Sequence, residues 1–362
     1  MILKILDKYI VRQFLQTVGF GILTFTLIFV VIDLMEKLDD FIDHNASLNI
    51  ILNYYFVFIP EIIRLMLPVS VLLGGLFTVG KLSTLNELTA IKSSGVSFYR
   101  FTIPFLLTSL IISLASIYFG GYVVPEANKQ RIYIEQHYLK KGLVNSGSNI
   151  YFQDNKTRIV TIAYYNVKTG KANRISIQEF NPADIEKMTS RIDAQSMKYD
   201  STKNNWILER GMKRIFKNNK DSTEKFDKLE LVYLNFSPDE VIEKQKKPQE
   251  MNLSELEKYA DSKLATGNDP TPIKIEYHSR IAFAFASFVV VLFGLTISAN
   301  KRKGGTAIQF GINVLLTFIY LVFMKVSQAF GKNGALSPFI TAWLANILFL
   351  TAGIINLIRV KK

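Results

Sequence analysis

Cysteine is absent from this chain of 362 residues, and only three histidines and two tryptophans occur in it. The lack of Cys excludes a disulfide framework, a thiolate metal site and a Cys nucleophile, and three scattered His leave little for a His-based metal centre. The long apolar runs carry only Glu61 and Arg64, with Lys325 near a helix end. No nucleophile with its base and no paired carboxylates fall at one depth, so no catalytic residue and no metal ligand is expected. What the chain does have is apolar surface: 49% of residues are hydrophobic, 20% are charged, and the mean hydropathy is +0.20. Such a chain is too apolar for an ordinary soluble domain and too charged to lie wholly in lipid.

The apolar runs predict six membrane spans. Met1 to Arg12 is basic and amphipathic, and Gln13–Ile32 carries no charge over a length that can cross a bilayer; with no small-residue cleavage site after it, it reads as a retained span. The acidic stretch Asp33 to Asp43 follows, which places the N-terminus in the cytoplasm. Ile50–Gly80 is the second span, with Glu61 and Arg64 sharing one helical face and Pro60 and Pro68 implying a bend. Phe101–Pro125 is the third, Ile281–Asn300 the fourth, Gly304–Met324 the fifth and Ser337–Ile358 the sixth, with a basic turn at Lys301-Arg302-Lys303. Both termini then lie in the cytoplasm. Lys4, Lys8, Arg12, Lys81, Lys92, Arg100, Lys301, Arg302, Lys303, Arg359, Lys361 and Lys362 outnumber Asp7 and Glu87 on that side, so topology accounts for most of the net charge of +13, and no nucleic acid is needed to explain it.

Between the third and fourth spans, residues 126–276 form a polar domain outside the membrane. Asn149–Gln153, Arg158–Tyr164, Arg174–Phe180, Met188–Tyr199, Trp206–Arg210, Lys213–Lys217 and Lys228–Leu234 are short, partly alternating and separated by turn signals, which suggests a β-sandwich or an open jelly roll. Leu253–Leu264 reads as an amphipathic helix capped by Asn252 or Ser254. The fold class is therefore membrane α-helical with six transmembrane helices and an inserted all-β, jelly-roll-like domain; residues 1–125 hold spans one to three, 126–276 the β domain and 277–362 spans four to six.

The polar turn 81–100 lies between two spans and is too short to fold alone. Gly75 to Lys81-Leu82 nearly spells a phosphate-binding loop, but Leu82 stands where Ser or Thr would hold magnesium, and glycines in a span serve close helix packing. Ser83 or Thr84 can cap a short helix with Glu87 in its first turn, and Leu85, Leu88 and Ile91 form an apolar face with no core of its own to bury it.

These residues carry a resemblance. Leu6-Asp-Lys-Tyr-Ile10, Leu67-Pro-Val-Ser-Val-Leu-Leu-Gly74, Asn86-Glu-Leu-Thr-Ala-Ile-Lys-Ser-Ser-Gly95, Val124-Pro-Glu-Ala-Asn128, Met251-Asn-Leu-Ser-Glu-Leu256, His278-Ser-Arg-Ile281 and Trp343-Leu-Ala-Asn346 occur in this order with three spans on either side of one outer domain. In this the chain resembles the permease subunits of the lipopolysaccharide export ABC transporter, the LptF/LptG family. Pro60-Glu61 and Gly80-Lys81-Leu82 point to one subunit type and the Leu6-Asp-Lys-Tyr start to the other.

The resemblance implies a subunit of the bacterial inner membrane, with its β domain in the periplasm. It would work with a second homologous permease, a cytoplasmic ABC ATPase dimer and a periplasmic jelly-roll bridge to carry lipopolysaccharide out of the inner membrane. ATP and magnesium would sit on the ATPase, with no cofactor on this chain. The ATPase-coupling residues would be Glu87, Leu88, Ile91, Ser94 and Gly95, and the lipid path would involve Lys37, Glu61, Arg64 and Phe318. Lipid would enter between the first span of one permease and the fifth of the other. A non-transporting mechanotransmission subunit and a membrane-embedded enzyme are the alternative classes.

Overall fold

A computed structural model describes residues 5–139, 147–166, 169–201, 203, 205–217, 220–231, 234, 236, 238, 241, 247–265, 268–299 and 305–359. The architecture is helical and membrane-like, with an antiparallel sheet inserted in the middle of the chain. In chain order the elements are α1 (Ile5–Asp43), α2 (Leu48–Thr84), α3 (Glu87–Ser93), α4 (Phe98–Tyr118), a π-helical turn (Phe119–Val123), α5 (Val124–His137), six strands, α6 (Leu253–Ala265), α7 (Thr271–Ala284), α8 (Ala286–Ala299), α9 (Gly305–Lys332) and α10 (Pro338–Arg359). The expected basic turn at 301–303 lies outside the described residues. Contacts divide the chain into a helical unit of residues 1–131, 252–256 and 271–362, and a unit of residues 132–251 and 257–270.

Among the described residues, five helical stretches are long and apolar enough to cross a bilayer, and α7 with α8 makes a sixth if the bent pair counts as one span. The helices run past the apolar runs that predict them. α1 continues through the acidic stretch to Asp43, where Lys37 Nζ lies 3.5 Å from Asp33 Oδ1 one turn back. α2 is unbroken through Pro60 and Pro68.

Small residues bring these helices close. A methyl group on Gly74 would stand 2.5 Å from Val18 Cγ2, so α1 and α2 touch backbone to side chain there. Residues 75–82 lie within α2, with Leu82 fully buried, so that stretch is a packing surface and no loop exists to cradle phosphate. Ile10, Phe14, Val71, Phe105 and Val291 form one helical core; Leu72, Val290, Phe293, Tyr320 and Ala345 form another.

The fourth span is bent by 42° between α7 and α8. Its cause is a side chain: Asn346 Nδ2 on α10 donates to the Ala282 carbonyl at 2.8 Å, taking an acceptor that a continuous helix would use itself. The Tyr320 hydroxyl on α9 donates to Asn346 Oδ1, so one buried amide ties three helices. Asn346→Leu removes the partner of the buried Tyr320 hydroxyl and leaves the Ala282 carbonyl only the Phe285 N–H at 3.2 Å, at about 1–3 kcal/mol. The expected result is a lower midpoint of thermal unfolding in detergent; an unchanged midpoint would mean that α7 and α8 close their own hydrogen bond.

The inserted sheet has strands β1 (Gly147–Asn155), β2 (Arg158–Asn166), β3 (Lys171–Asn181), β4 (Asp184–Asp200), β5 (Asn205–Lys217) and β6 (Lys220–Leu231), all antiparallel and paired in sequence order. The nearest-neighbour order leaves β1 and β6 as the edges among the described residues. One face buries Ile150, Val160, Ile162, Ile175, Ile177, Ile192, Ala194 and Leu208, and Trp206 closes it with its indole N–H donated to the Phe236 carbonyl at 2.7 Å.

Six strands stand where seven segments are expected, because Trp206–Arg210 and Lys213–Lys217 are one strand. The row Ile162, Ile175, Ala194, Gly211, Phe226 is followed by the row Tyr164, Asn173, Ser196, Glu209, Lys228, and the residues between are skipped on all five strands. Arg174 and Arg210 in that skipped row have φ of 50° and 49°, so the backbone kinks there while the pairing register is the same on either side. At Gly211 a Cβ would come within 2.4 Å of the Asp193 carbonyl, so only glycine fits. Two segments that read separately in the sequence are one strand with a kink between them.

Candidate functional site

The polar turn between α2 and α4 is built by three local stops. α2 ends at Thr84, whose hydroxyl donates back to the Gly80 carbonyl at 3.0 Å, and Asn86 takes a left-handed conformation at φ 58°. α3 begins at Glu87 and ends in a Schellman motif: Val96 N–H reaches the Ile91 carbonyl, Gly95 N–H reaches that of Lys92, and Gly95 has φ 82°. Ser97 then caps α4, accepting from Arg100 N–H at 3.3 Å. Of the residues expected to act in docking, Ser94 and Gly95 are therefore the stop signal of α3.

Two expectations for α3 are corrected. Neither Ser83 nor Thr84 caps it; Thr84 belongs to α2 and Asn86 makes no side-chain cap. And the helix does have a core: Leu88 and Ile91 pack on the cluster of Ile10, Phe14 and Phe105, which leaves Leu85, Thr89, Ala90, Lys92 and Ser93 on the exposed side.

Glu87 is held from a distance in sequence. Tyr9 on α1 donates its hydroxyl to Glu87 Oε2 at 2.9 Å. Beside it, Arg100 Nη2 meets Asp7 Oδ2 at 2.6 Å, with the Asp7 side chain almost wholly buried. Tyr99 donates to the Leu357 carbonyl at 3.2 Å, satisfying the last turn of α10. The first turns of α1 and α4, the last turn of α10 and the start of α3 are thus fastened together. Tyr9, Asp7 and Tyr99 were not singled out as site residues in the sequence, since each partner lies far along the chain.

The second cluster surrounds Glu61 and Arg64. Arg64 donates through Nη2 to Glu61 Oε1 at 2.6 Å and through Nε to Oε2 at 3.1 Å. The pair is joined by Asn128 on α5, whose Nδ2 is 3.5 Å from Glu61 Oε2, and it lies near the buried Arg280 of α7, itself bonded to Glu276 at 3.2 Å. The π-helical turn makes the room, because a Cβ on Gly120 would press to 3.2 Å from Arg64 Cδ. Two guanidinium groups and two carboxylates compensate each other here, which lowers the cost of holding charge among apolar helices.

Lys37 bonds the Tyr54 hydroxyl, pairs with Asp33 and lies 4.5 Å from the centre of the Tyr54 ring. The structure brings Glu61 and Arg64 together on α2 and sets Lys37, on α1, against Tyr54 and Phe58 of that same α2. Phe318 is elsewhere, on α9, with 64% of its surface exposed. It belongs to an apolar stripe with Leu315, Ile319, Val322, Val326 and Phe330. α1 is similarly bare: 6% of its apolar window is buried, against 44% for α2. Among the described residues these faces have no counterpart, and they suit lipid or a second helical subunit.

The family model of the lipopolysaccharide export system permease LptF/LptG matches residues 8–359. The chain belongs to this family. A stretch of 93 residues is 33% identical to the lipopolysaccharide export system permease protein LptF of Escherichia coli K12, and the same holds for that of Shigella flexneri. The stretch covers 26% of this chain and 25% of those relatives, so the chain matches about a quarter of the length of the curated proteins. Within the LptF/LptG frame, the Tyr9–Glu87 contact at α3 and the Glu61–Arg64 network are two charged clusters of the helical unit.

Proposed function

We propose that the chain is a permease subunit of an ABC exporter that removes lipopolysaccharide from the bacterial inner membrane. The family match over residues 8–359 carries this reading. In it, both termini and α3 face the cytoplasm and the sheet lies in the periplasm, as the distribution of Lys and Arg supports. α3 receives a cytoplasmic ATPase dimer, with Glu87 at the contact. The bare faces of α1 and α9 meet a second, homologous permease and form the lateral entry for lipid, with Phe318 on that path. A jelly-roll bridge adds to β1 or β6, since an unpaired strand edge is a template for strand addition. The export reading is tested by reconstituting the purified assembly in proteoliposomes with lipopolysaccharide. ATP-dependent release to a soluble acceptor is the expected result; ATP hydrolysis that moves no lipid would favour a mechanotransmission subunit.

The orientation has its own test, made simple by the absence of native Cys. In intact cells with a permeabilised outer membrane, a membrane-impermeant thiol reagent is expected to label Lys203→Cys and to spare Lys92→Cys. Labelling of Lys92→Cys alone would invert the topology.

A further inference from the structure

Between α1 and α2, next to α3, a groove of about 370 Å³ is lined by Gln13, Gln16, Thr17 and Phe20 from one helix and Phe77, Thr78 and Lys81 from the other. Two of its polar groups are buried without partners. Gln13 is 8% exposed with its Oε1 unbonded, and Thr78 is 1% exposed with its hydroxyl unbonded. Buried polar atoms in a membrane helix are normally satisfied, and these two belong to residues that line one cavity, where an occupant with its own polar groups could meet them.

The order of side chains along the groove says what that occupant is. Lys81, at the end nearest the polar turn, is an exposed cation. One helical turn further into the span come Phe77 and Thr78, level with the amides and hydroxyl of Gln13, Gln16 and Thr17. Phe20 lies seven residues beyond Gln13, about 10 Å along the helix axis. A cation, then amides and hydroxyls beside the Phe77 ring, then the Phe20 ring, is the complement of a phosphate, a glycerol ester region and an acyl chain. An apolar helix in the groove would leave Gln13 and Thr78 unsatisfied, and water would match neither the cation nor the rings.

We propose that this groove binds one glycerophospholipid with an anionic headgroup, drawn from the leaflet on the α3 side. Lys81 holds the phosphate, Thr78 donates to an ester carbonyl, the Gln13 amide bonds the glycerol region, and the chains leave along Phe20 and Phe77. The assignment needs only that α1 and α2 span the membrane, and it stands or falls apart from the export reading.

The test uses the full chain, purified in detergent with whatever subunits accompany it and exchanged into dioleoyl-phosphatidylglycerol. Native mass spectrometry is expected to find one tightly retained lipid per chain, preferred over dioleoyl-phosphatidylcholine. Gln13→Leu with Thr78→Val, near-isosteric changes, should weaken retention about tenfold, and Lys81→Gln should abolish the preference. In the unaltered protein, a photoactivatable phosphatidylglycerol should label the peptide around Phe77 and Thr78, a result that no folding defect can imitate. Unchanged retention in the double variant, equal retention of phosphatidylcholine by the unaltered protein, or capture of a polypeptide instead of lipid by a photo-crosslinker at Gln16 would each overturn the proposal.

Discussion

Arg158→Met is expected to destabilise the sheet unit by about 3–5 kcal/mol, because it strips a buried carboxylate of its counter-charge. Arg158 Nη1 lies 2.8 Å from Asp154 Oδ2, and Nη2 lies 2.6 Å from Glu179 Oε1 on the neighbouring strand. The Asp154 side chain is 1% exposed, so water cannot replace the guanidinium. Burial by itself would lower the Arg158 pKa, and its bonds to Glu179 and Asp154 outweigh that, leaving the group above its ordinary value. The arginine also sits at the β1–β2 hairpin, where Asn155 Oδ1 accepts from Thr157 N–H at 2.9 Å, and directly opposite Glu179. It therefore joins a turn to a third strand.

Adding Asp154→Leu should return most of the stability, since two apolar groups can replace a buried pair. Chemical denaturation of the full chain in detergent reads this out through Trp206, with Trp343→Phe removing the other indole. A single variant as stable as its parent, or a double variant no better than the single, would show that the pair is not what holds the hairpin.

The spans were legible because a run such as Gln13–Ile32 states its own solvent: no residue outside it is needed to explain it. Their ends were less so. Asp33 and Lys37 read as a polar break, yet at i and i+4 they pair along one helix face, and α1 runs on to Asp43. The strands of the inserted unit showed in alternation, but the kink at Arg210-Gly211 breaks that alternation, so one strand read as the two segments Trp206–Arg210 and Lys213–Lys217. What the sequence did not reveal depends on partners far apart along the chain. The break at Ala282 is made by Asn346, and the state of Glu87 is set by Tyr9. A local reading of Glu87 offered a capping box, and it failed because Thr84 had already been used by α2.

Glu87→Gln is expected to weaken binding of the partner ATPase by about 2–5 kcal/mol, some thirtyfold or more, with a matching loss of lipid export. The glutamate opens α3 on a face where Thr89, Ala90 and Lys92 are exposed, while Leu88 and Ile91 are engaged with the helical core. α3 is therefore a rigid, shallow platform whose orientation is set by the rest of the unit, and a partner that takes hold of it pulls on α1 and α4 together. Glutamine keeps an oxygen that can accept from the Tyr9 hydroxyl but carries no charge. Tyr9→Phe does the reverse, removing the tether and keeping the carboxyl side chain. If Glu87 meets a basic group of the ATPase, Glu87→Gln fails in both binding and export, whereas Tyr9→Phe binds nearly as well as the parent and loses efficiency only in coupling hydrolysis to export. If instead Glu87 serves only to moor α3 to α1, Glu87→Gln behaves like the parent and Tyr9→Phe is the damaging change. Measuring ATPase affinity and export per ATP for both variants separates the two roles, because charge acts on the first quantity and the tether on the second.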